Sequence, residues 1–313
     1  MLSHLFVEQY IIPLQLAAAM FGMGAALDVR DFLVVGKQPF GLALGLFAQL
    51  VLVPLLAVAF ITVFGLEPGW AVGLCLIAVV PGGAFSNLLT FFGRANVALS
   101  IAITVVSTSL CVVTVPLLLR FLVSTSLPAN FHFPLSRVVI EICVYLVGPL
   151  VLGMISCRWW PARSAMLSKR GIQLSVLLLI LITLSALRSG RIKVAEYGIW
   201  PPLIIILFGL MLSWLAPVLC WITKRSSNDA VAITIEVTVR NMGVGLLLVE
   251  FFFPGEPQAG HVLYSCLFYA GASGLFALPP AMAHRIRPGR YPNIAGAVRF
   301  LWRERKRMRG PAD

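Results

Sequence analysis

The chain has 313 residues, of which 59% are hydrophobic and only 12% are charged. Soluble domains carry about 25% charged residues, so this composition excludes an ordinary soluble domain and indicates an integral membrane protein. The net charge of +12 does not indicate a nucleic-acid-binding protein, because the basic residues lie between apolar runs and in the C-terminal tail.

Apolar runs long enough to cross a membrane follow one another along the chain. A helix needs about 20 apolar residues to cross a hydrocarbon core of about 30 Å. The sequence therefore predicts an all-α membrane protein with nine transmembrane helices. The nine predicted spans are residues 6–27, 38–64, 69–92, 95–123, 135–157, 171–188, 199–222, 229–253 and 260–284.

The basic residues predict how these spans are oriented. Nine crossings place the two termini on opposite sides of the membrane. With the C-terminus in the cytoplasm, 18 of the 24 Lys and Arg residues lie on the inner side and five on the outer side, and Arg240 remains within a span. Because basic loops stay in the cytoplasm, we expect a multi-pass protein of the cell inner membrane with its N-terminus outside.

The chain is expected to form one transmembrane domain followed by a basic tail. The domain covers residues 1–284, and the cytoplasmic connection CRWWPARSAMLSKR is predicted to separate its two halves, 1–157 and 158–284. The tail, 285–313, contains RERKRMRG and is predicted either to lie on anionic lipid or to be a disordered positive anchor. The six cysteines are scattered without CxxC pairs, so neither a disulfide framework nor a zinc site is expected.

Two of the predicted spans are interrupted by residues that do not suit a continuous apolar helix. The third contains Pro81, Gly82 and Gly83 at its middle, and the eighth contains Glu236 to Asn241 at a corresponding depth. Interrupted apolar segments at corresponding places in two halves indicate a transporter built from inverted repeats. Broken backbone is tolerated at membrane depth only where it is buried in protein or lines a cavity.

The Pro-Gly-Gly break can end one half-helix and begin another. The freed N–H groups of the second half-helix carry partial positive charge, which suits a carboxylate. Such a triplet is more often a kink than a site, but Ser86 and Asn87 follow it directly. Ser100 and Thr104 lie on one face of the next span, and Gln49 lies in the middle of the second. Taken singly, each of these three is also explained by a helix–helix hydrogen bond worth about 0.6–2 kcal/mol.

Glu236 and Arg240 place opposite charges four residues apart near the middle of the eighth span. A charge at the centre of a membrane helix costs about 2.5–3.5 kcal/mol on insertion scales. An i, i+4 ion pair explains how both charges are tolerated, but it does not explain why both are present. The functional alternative is that Glu236 binds a cation. Hard cations such as sodium prefer oxygen ligands, which the neighbouring hydroxyl, amide and carbonyl groups supply.

These residues match a known family. The stretch PGGAFSNLLTFFGRANVALSIAITVVSTSL, followed much later by EVTVRN, resembles the bile acid:sodium symporter family, and FGMGAAL and FAQLVLVPLLA fit as well. The resemblance covers about residues 15–280 and is most specific at 81–108. It implies two inverted repeats, a panel domain and a core domain in which two discontinuous helices cross. The chain resembles the nine-helix form, which lacks the first helix of ten-helix members.

The resemblance also implies two sodium sites that share one glutamate. The first site corresponds here to Ser86, Asn87, Ser100, Thr104 and Glu236. The second uses the same glutamate and corresponds here to Gln49, the carbonyl groups of Val237 and Val239, and the position of Arg240, where the family has glutamine. A guanidinium has only donors and stays charged. We therefore expect Arg240 to occupy the second site as a tethered cation paired with Glu236, which leaves at most one coupled sodium.

The substrate residues implied by the resemblance depart from the family pattern. Asn241 matches the asparagine that touches substrate, but Ala84 and Phe85 replace a smaller Thr-Ala pair, so Phe85 should narrow the crevice. A substrate carboxylate is expected on the N–H groups around Ala84 to Ser86. The expected substrate is therefore a small organic anion, such as a 2-oxo acid or a pantoate-like acid, instead of a bulky bile acid.

The leading functional hypothesis is sodium-coupled symport of a small organic anion, with sodium as coupling ion and no other cofactor. The alternatives are a sodium-independent or proton-coupled anion carrier and, from a different class, a membrane sensor or scaffold. An enzyme is not expected, because no nucleophile is accompanied by its base.

Overall fold

The computed structural model describes residues 6–27, 39–123, 135–189, 194–249 and 258–286, and within them the regular elements are helices. The helices are α1 (Ile12–Gly24), α2 (Pro39–Phe64), α3 (Pro68–Val79), α4 (Ala84–Phe92), α5 (Val97–Val123), α6 (Leu135–Trp159), α7 (Pro161–Arg188), α8 (Val194–Tyr197), α9 (Trp200–Ile222), α10 (Ser227–Thr238), α11 (Met242–Leu248) and α12 (Gln258–Ile286). The basic tail beyond residue 286 lies outside the described residues.

The predicted spans correspond to these helices in two ways. Six helices of the described chain, α2, α5, α6, α7, α9 and α12, are each long and apolar enough to cross a membrane. The third and eighth predicted spans are divided, into α3 with α4 and α10 with α11, so the two predicted interruptions are confirmed. The first predicted span contains a π-helical turn, Val7–Ile11, followed by α1. The total of nine crossings stays a prediction.

The predicted cytoplasmic connection between the two halves is largely helical. α6 continues to Trp159 and α7 begins at Pro161, so most of residues 157–170 are helical and only Trp160 separates the two helices. Proline is favoured at the first position of a helix because its missing N–H has no intrahelical partner there. Helix α7 therefore begins at Pro161, before the predicted sixth span at residue 171, because its first turns are polar and did not count as apolar sequence.

Helices α1, α6 and α7 pack on one another and form a three-helix layer. Glycines bring their backbones together: a Cβ atom at Gly24 would collide with the Leu150 carbonyl group, and one at Gly153 would collide with the Phe21 carbonyl oxygen. A Cβ atom at Gly171 would lie 2.8 Å from the Cα atom of Gly22. Small residues allow such close approach of membrane helices, which explains the Gly-Met-Gly segment of α1.

Replacing Gly153 with alanine is expected to destabilise the protein, because the methyl group meets backbone atoms of α1 that cannot rotate away. Overpacking of this kind costs about 1–3 kcal/mol. Gly271→Ala in α12 is the matched control, because no atom lies within 4 Å of a Cβ built at that position. Thermal unfolding in detergent should show a lower midpoint for Gly153→Ala alone; equal midpoints for both variants would show that α1 and α6 pack less closely.

The first segments of the two divided spans, α3 and α10, lie in the interior of the described helices. α10 is buried along its whole length except at Asn228, and α3 is buried except near its N-terminus. They are covered by α5, α9 and α12. The sequence of α3 is apolar on all sides, which is typical of such a buried position. The protein thus encloses the broken backbone, as the absence of water in a bilayer core requires.

The two breaks lie directly against each other. Gly82 and Arg240 form an isolated antiparallel backbone bridge, and the Asn241 N–H donates to the Pro81 carbonyl group at 2.8 Å. The end of α3 therefore meets the end of α10, as the crossing of two discontinuous helices implies. We call this region, residues 80–83 and 239–241, the crossing.

Candidate ion and substrate site

Glu236 lies in the last turn of α10, beside the crossing, and its side chain is fully buried. Its carboxylate oxygens accept hydrogen bonds from three hydroxyl groups on two other helices. Ser86 donates at 2.6 Å, Ser100 at 2.5 Å and Thr104 at 2.8 Å. Three hydroxyl donors suit an ionised carboxylate, which can only accept hydrogen bonds.

The structure brings together the five residues predicted for the first sodium site. Ser86 is in the first turn of α4, and Ser100 and Thr104 lie on successive turns of α5. Asn87 joins the group through its side-chain oxygen, which lies 2.9 Å from the Ser100 hydroxyl and 3.5 Å from the Thr104 hydroxyl. Residues that are up to 150 positions apart in the chain thus form one cluster. We call these five residues the Glu236 cluster.

Oxygen atoms outnumber hydroxyl protons in the Glu236 cluster. The Ser86 hydroxyl has two acceptors within hydrogen-bond distance, Glu236 and the Gly83 carbonyl group. The Ser100 hydroxyl also has two acceptors, and the Thr104 hydroxyl has three. Each hydroxyl has a single proton to donate, so several oxygen lone pairs face one another without a proton between them. A hard cation bound among these oxygens satisfies them.

The missing side chain of Gly82 allows the Glu236 carboxylate to approach the crossing. A Cβ atom at Gly82 would collide with the Glu236 Oε2 atom, so a side chain at this position is incompatible with the present geometry. The close approach of the Glu236 carboxylate therefore requires glycine at position 82.

Two residues that the sequence analysis missed support the site. Thr90 is fully buried, and its hydroxyl lies 3.1 Å from the Ser100 hydroxyl and 2.9 Å from the Ser86 carbonyl oxygen. Its position four residues after Ser86, on the same face of α4, was an available signal. Tyr269 of α12 is also fully buried and donates to the Thr238 carbonyl group at 2.7 Å. That bond satisfies one of the carbonyl groups left free at the end of α10.

Arg240 does not pair with Glu236, so this expectation was wrong. Among the described residues, the ion pairs are Arg137–Glu141 and Arg225–Asp229. The Arg240 side chain, 5% exposed, turns to backbone carbonyl groups: Nε donates to Val237 at 2.9 Å and Nη1 to Val80 at 3.0 Å. The reason is geometric, because the helix ends at Thr238 and residues beyond it no longer follow the i, i+4 spacing that pairs side chains on one face.

Of the other residues predicted for the second ion site, Val237 is the one that is hydrogen-bonded to Arg240 in the described part of the chain. The Val237 carbonyl group already accepts from Arg240. Val239 is buried at the crossing. Gln49 is buried in a π-helical turn of α2, Ala48–Leu52, which packs against α3 and α10. Within the described part of the chain, neither amide atom of Gln49 has a hydrogen-bond partner.

The residues predicted to bind substrate differ from one another in burial. Asn241 is buried, and its amide nitrogen contacts the Met20 sulfur of α1 at 3.7 Å. Phe85 is 49% exposed and lies near Gly274 of α12. Ala84 begins α4, and its side chain lies outside what the structure describes.

Gln15 of α1 was also missed by the sequence analysis. Its Nε2 atom donates to the Ser175 hydroxyl of α7 at 2.9 Å. Its Oε1 atom lies where a side chain on Gly243 would begin, beside Asn241. Helix α1 therefore presents polar atoms to the crossing from the three-helix layer. A glutamine in an apolar helix was the available signal.

Comparisons with known proteins identify the family of this chain. The sequence pattern of the Sodium Bile acid symporter family matches residues 13–197. The chain belongs to this family. It is therefore a transporter and a multi-pass membrane protein, and the resemblance found from the motifs is confirmed.

Several relatives are similar over most of the chain. A protein named as an uncharacterized sodium-dependent transporter, YocS, of Bacillus subtilis is 32% identical over 253 residues, which are 79% of this chain and 76% of that protein. The sodium-dependent organic anion transporter of Rattus norvegicus is 28% identical over 82% of this chain and 68% of its own length. The ileal sodium/bile acid cotransporter of Homo sapiens is 30% identical over 63% of this chain and 56% of its own length.

Proposed function

We propose that this transporter couples the movement of sodium to the movement of a small organic anion, with the Glu236 cluster as its sodium site. The observation that carries the proposal is the surplus of oxygen lone pairs around Glu236, supplied by α4, α5 and α10. Sodium-dependent transport by the named relatives supports the same conclusion.

The cluster also supplies a physical reason for coupling. Ser86 and Asn87 belong to the first turn of α4, so a cation bound to them holds the start of that helix beside α10. The same helix start carries the partial positive charge on which a substrate carboxylate is proposed to dock. Because the Ser86 N–H already donates to the Gly83 carbonyl group at 3.0 Å, the proposed anion donors narrow to the N–H groups of Ala84 and Phe85. Asn241 is proposed to contact the substrate across the crossing.

We retain the proposal that the chain crosses the cell inner membrane nine times, in two inverted repeats that are divided near residue 157. The N-terminus is proposed to lie outside the cell, and the basic tail in the cytoplasm. The two divided spans whose breaks face each other support the repeat arrangement. Contact of the tail, residues 285–313, with anionic lipid is proposed from its charge alone.

Uptake into proteoliposomes tests the function. Radiolabelled pyruvate, pantoate and taurocholate are monoanions of increasing size, and each is offered with an inward sodium gradient or with an equal potassium gradient. Sodium-dependent uptake of at least one of the smaller acids is expected. Uptake that is equal under both gradients favours the alternative, a sodium-independent or proton-coupled carrier, for which the fixed positive charge of Arg240 near Glu236 is the supporting observation.

Replacing Phe85 with alanine is expected to admit larger acids. Its ring is half exposed at the start of α4, next to the proposed anion donors, and removing it widens the crevice. Phe91→Ala is the matched control, because Phe91 is 70% exposed on the same helix but lies farther from the break. Competition by a series of monocarboxylates of increasing length measures the size limit. A size limit that is the same in wild type, Phe85→Ala and Phe91→Ala contradicts the crevice assignment.

A further inference from the structure

We propose that the transport cycle is electroneutral: one sodium ion moves with one monoanion, and Arg240 serves as a fixed cation that never crosses the membrane. This inference rests on the proposed function, because it assigns the charge class of the anion and the electrical character of the coupled step. It follows from the side chains that the structure places at the crossing.

The charged groups at the crossing cancel before any cargo binds. Within the described part of the chain, one carboxylate and one guanidinium are buried in this region: Glu236, whose carboxylate lies against Gly82, and Arg240 of the crossing itself. Tyr269 also reaches this region, and its neutral hydroxyl group donates to the Thr238 carbonyl group. The next charged residues toward the start of α10 are Asp229, in its first turn, and Arg225, two residues before it, which pair with each other at 2.5 Å. The empty crossing is therefore neutral.

The positive charge of Arg240 is held where a mobile cation would otherwise be stabilised. Its guanidinium donates to the Val80 carbonyl group at the end of α3 and to the Val237 carbonyl group at the end of α10. The C-terminal end of a helix carries partial negative charge, and two such ends meet here. A guanidinium retains its proton in proteins. Arg240 therefore neutralises both helix ends permanently and repels a second mobile cation.

The charge of the cargo follows from this balance. Sodium bound at the Glu236 cluster gives the neutral crossing one positive charge, and a single carboxylate on the substrate cancels it. A dianion would leave a negative charge buried in the membrane interior, which is unfavourable. The cargo that keeps the loaded crossing neutral is thus one sodium with one monoanion, and its transfer moves no net charge.

The membrane potential separates this cycle from one that moves a second cation. Proteoliposomes that contain the wild-type protein are loaded with potassium, and valinomycin then sets an inside-negative potential of about 100 mV. Sodium-driven uptake of labelled pyruvate, pantoate and taurocholate is measured with and without valinomycin. If one net positive charge moves in each cycle, steady-state accumulation rises about 50-fold at this potential. For the wild type we expect a change of less than about twofold, since no net charge moves.

Two variants of Arg240 complete the experiment. Arg240→Gln leaves Glu236 without a fixed counter-charge, so a second sodium is needed to make the loaded crossing neutral. One net positive charge then moves in each cycle, and the membrane potential should raise substrate accumulation by up to about 50-fold. Arg240→Lys keeps the positive charge and should stay insensitive to potential. Where Arg240→Gln does not fold, the wild type and Arg240→Lys decide the question.

The outcomes distinguish this inference from the proposed function. Sodium-dependent uptake that is insensitive to valinomycin in the wild type supports the electroneutral cycle. Sodium-dependent uptake that rises many-fold with valinomycin overturns it and leaves sodium coupling intact. The absence of any sodium effect on uptake of all three probes overturns the proposed function and, with it, the charge balance.

Discussion

Replacing Glu236 with alanine is expected to abolish the sodium dependence of ligand binding. This carboxylate is the acceptor shared by Ser86, Ser100 and Thr104, so its removal takes the only negative charge out of the described cluster. The Coulomb attraction between sodium and a carboxylate is about 4 kcal/mol for unit charges about 4 Å apart at an effective dielectric constant of about 20. Loss of even half of that attraction lowers sodium affinity more than about tenfold.

The effect on sodium must be separated from an effect on folding, because Glu236→Ala also leaves the buried Arg240 without a counter-charge. Thr104→Ala removes one hydroxyl from the same cluster and no charge, and it should weaken sodium binding in the same direction. Thr234→Ala is its matched control, since the Thr234 hydroxyl is buried on α10 and donates to the Ala230 carbonyl group.

Thermal stability in sodium chloride and in potassium chloride of equal ionic strength provides the measurement. A ligand that binds only the folded protein raises its stability in proportion to the logarithm of ligand concentration over the dissociation constant. The wild type and Thr234→Ala should be more stable in sodium, whereas Glu236→Ala should unfold at the same temperature in both salts. A sodium effect of wild-type size in Glu236→Ala would show that the cluster is not the sodium site.

Replacing Arg240 with glutamine is expected to change the number of sodium ions that bind. The guanidinium lies on the Val237 carbonyl group, which the family resemblance assigns to the second sodium site. Glutamine restores the family residue and supplies an oxygen ligand in place of a fixed cation. The Hill coefficient of sodium-dependent binding or uptake should therefore rise from about one in the wild type toward two, its limit for two sites.

Arg240→Lys is the control for this change, because it keeps a positive charge at the crossing without the planar donor fork of the guanidinium. Sodium titrations of tryptophan fluorescence or of uptake determine the Hill coefficient for all three proteins. Equal Hill coefficients in wild type and Arg240→Gln would contradict the idea of a tethered cation. A wild type with a coefficient already near two would contradict it without need of the variants.

Local sequence patterns predicted much of this protein. Apolar runs of about 20 residues can only be buried in lipid or protein, so they identified the membrane class without any knowledge of contacts. Pro81 to Gly83 and the polar segment from Glu236 cannot continue an apolar helix, so the two interruptions were also predictable. The motif residues of the Glu236 cluster came from the family resemblance, and the structure brings their side chains together.

The tertiary structure decided what depends on contacts between distant segments. On a continuous helix, Arg240 could pair with Glu236. Instead, α10 ends at Thr238 against the end of α3, and Arg240 donates to the Val80 carbonyl group there. Tyr269 carries no sign of its role in the sequence, and Thr90 shows only its helical spacing from Ser86, because the side-chain contact of Thr90 and the carbonyl partner of Tyr269 lie on other helices. Local spacing therefore determined where the apolar helices and their breaks occur. The tertiary structure decided which partner each buried polar group binds, because the fold brings particular helix ends together. In a bilayer core no water is present to bind such a group instead.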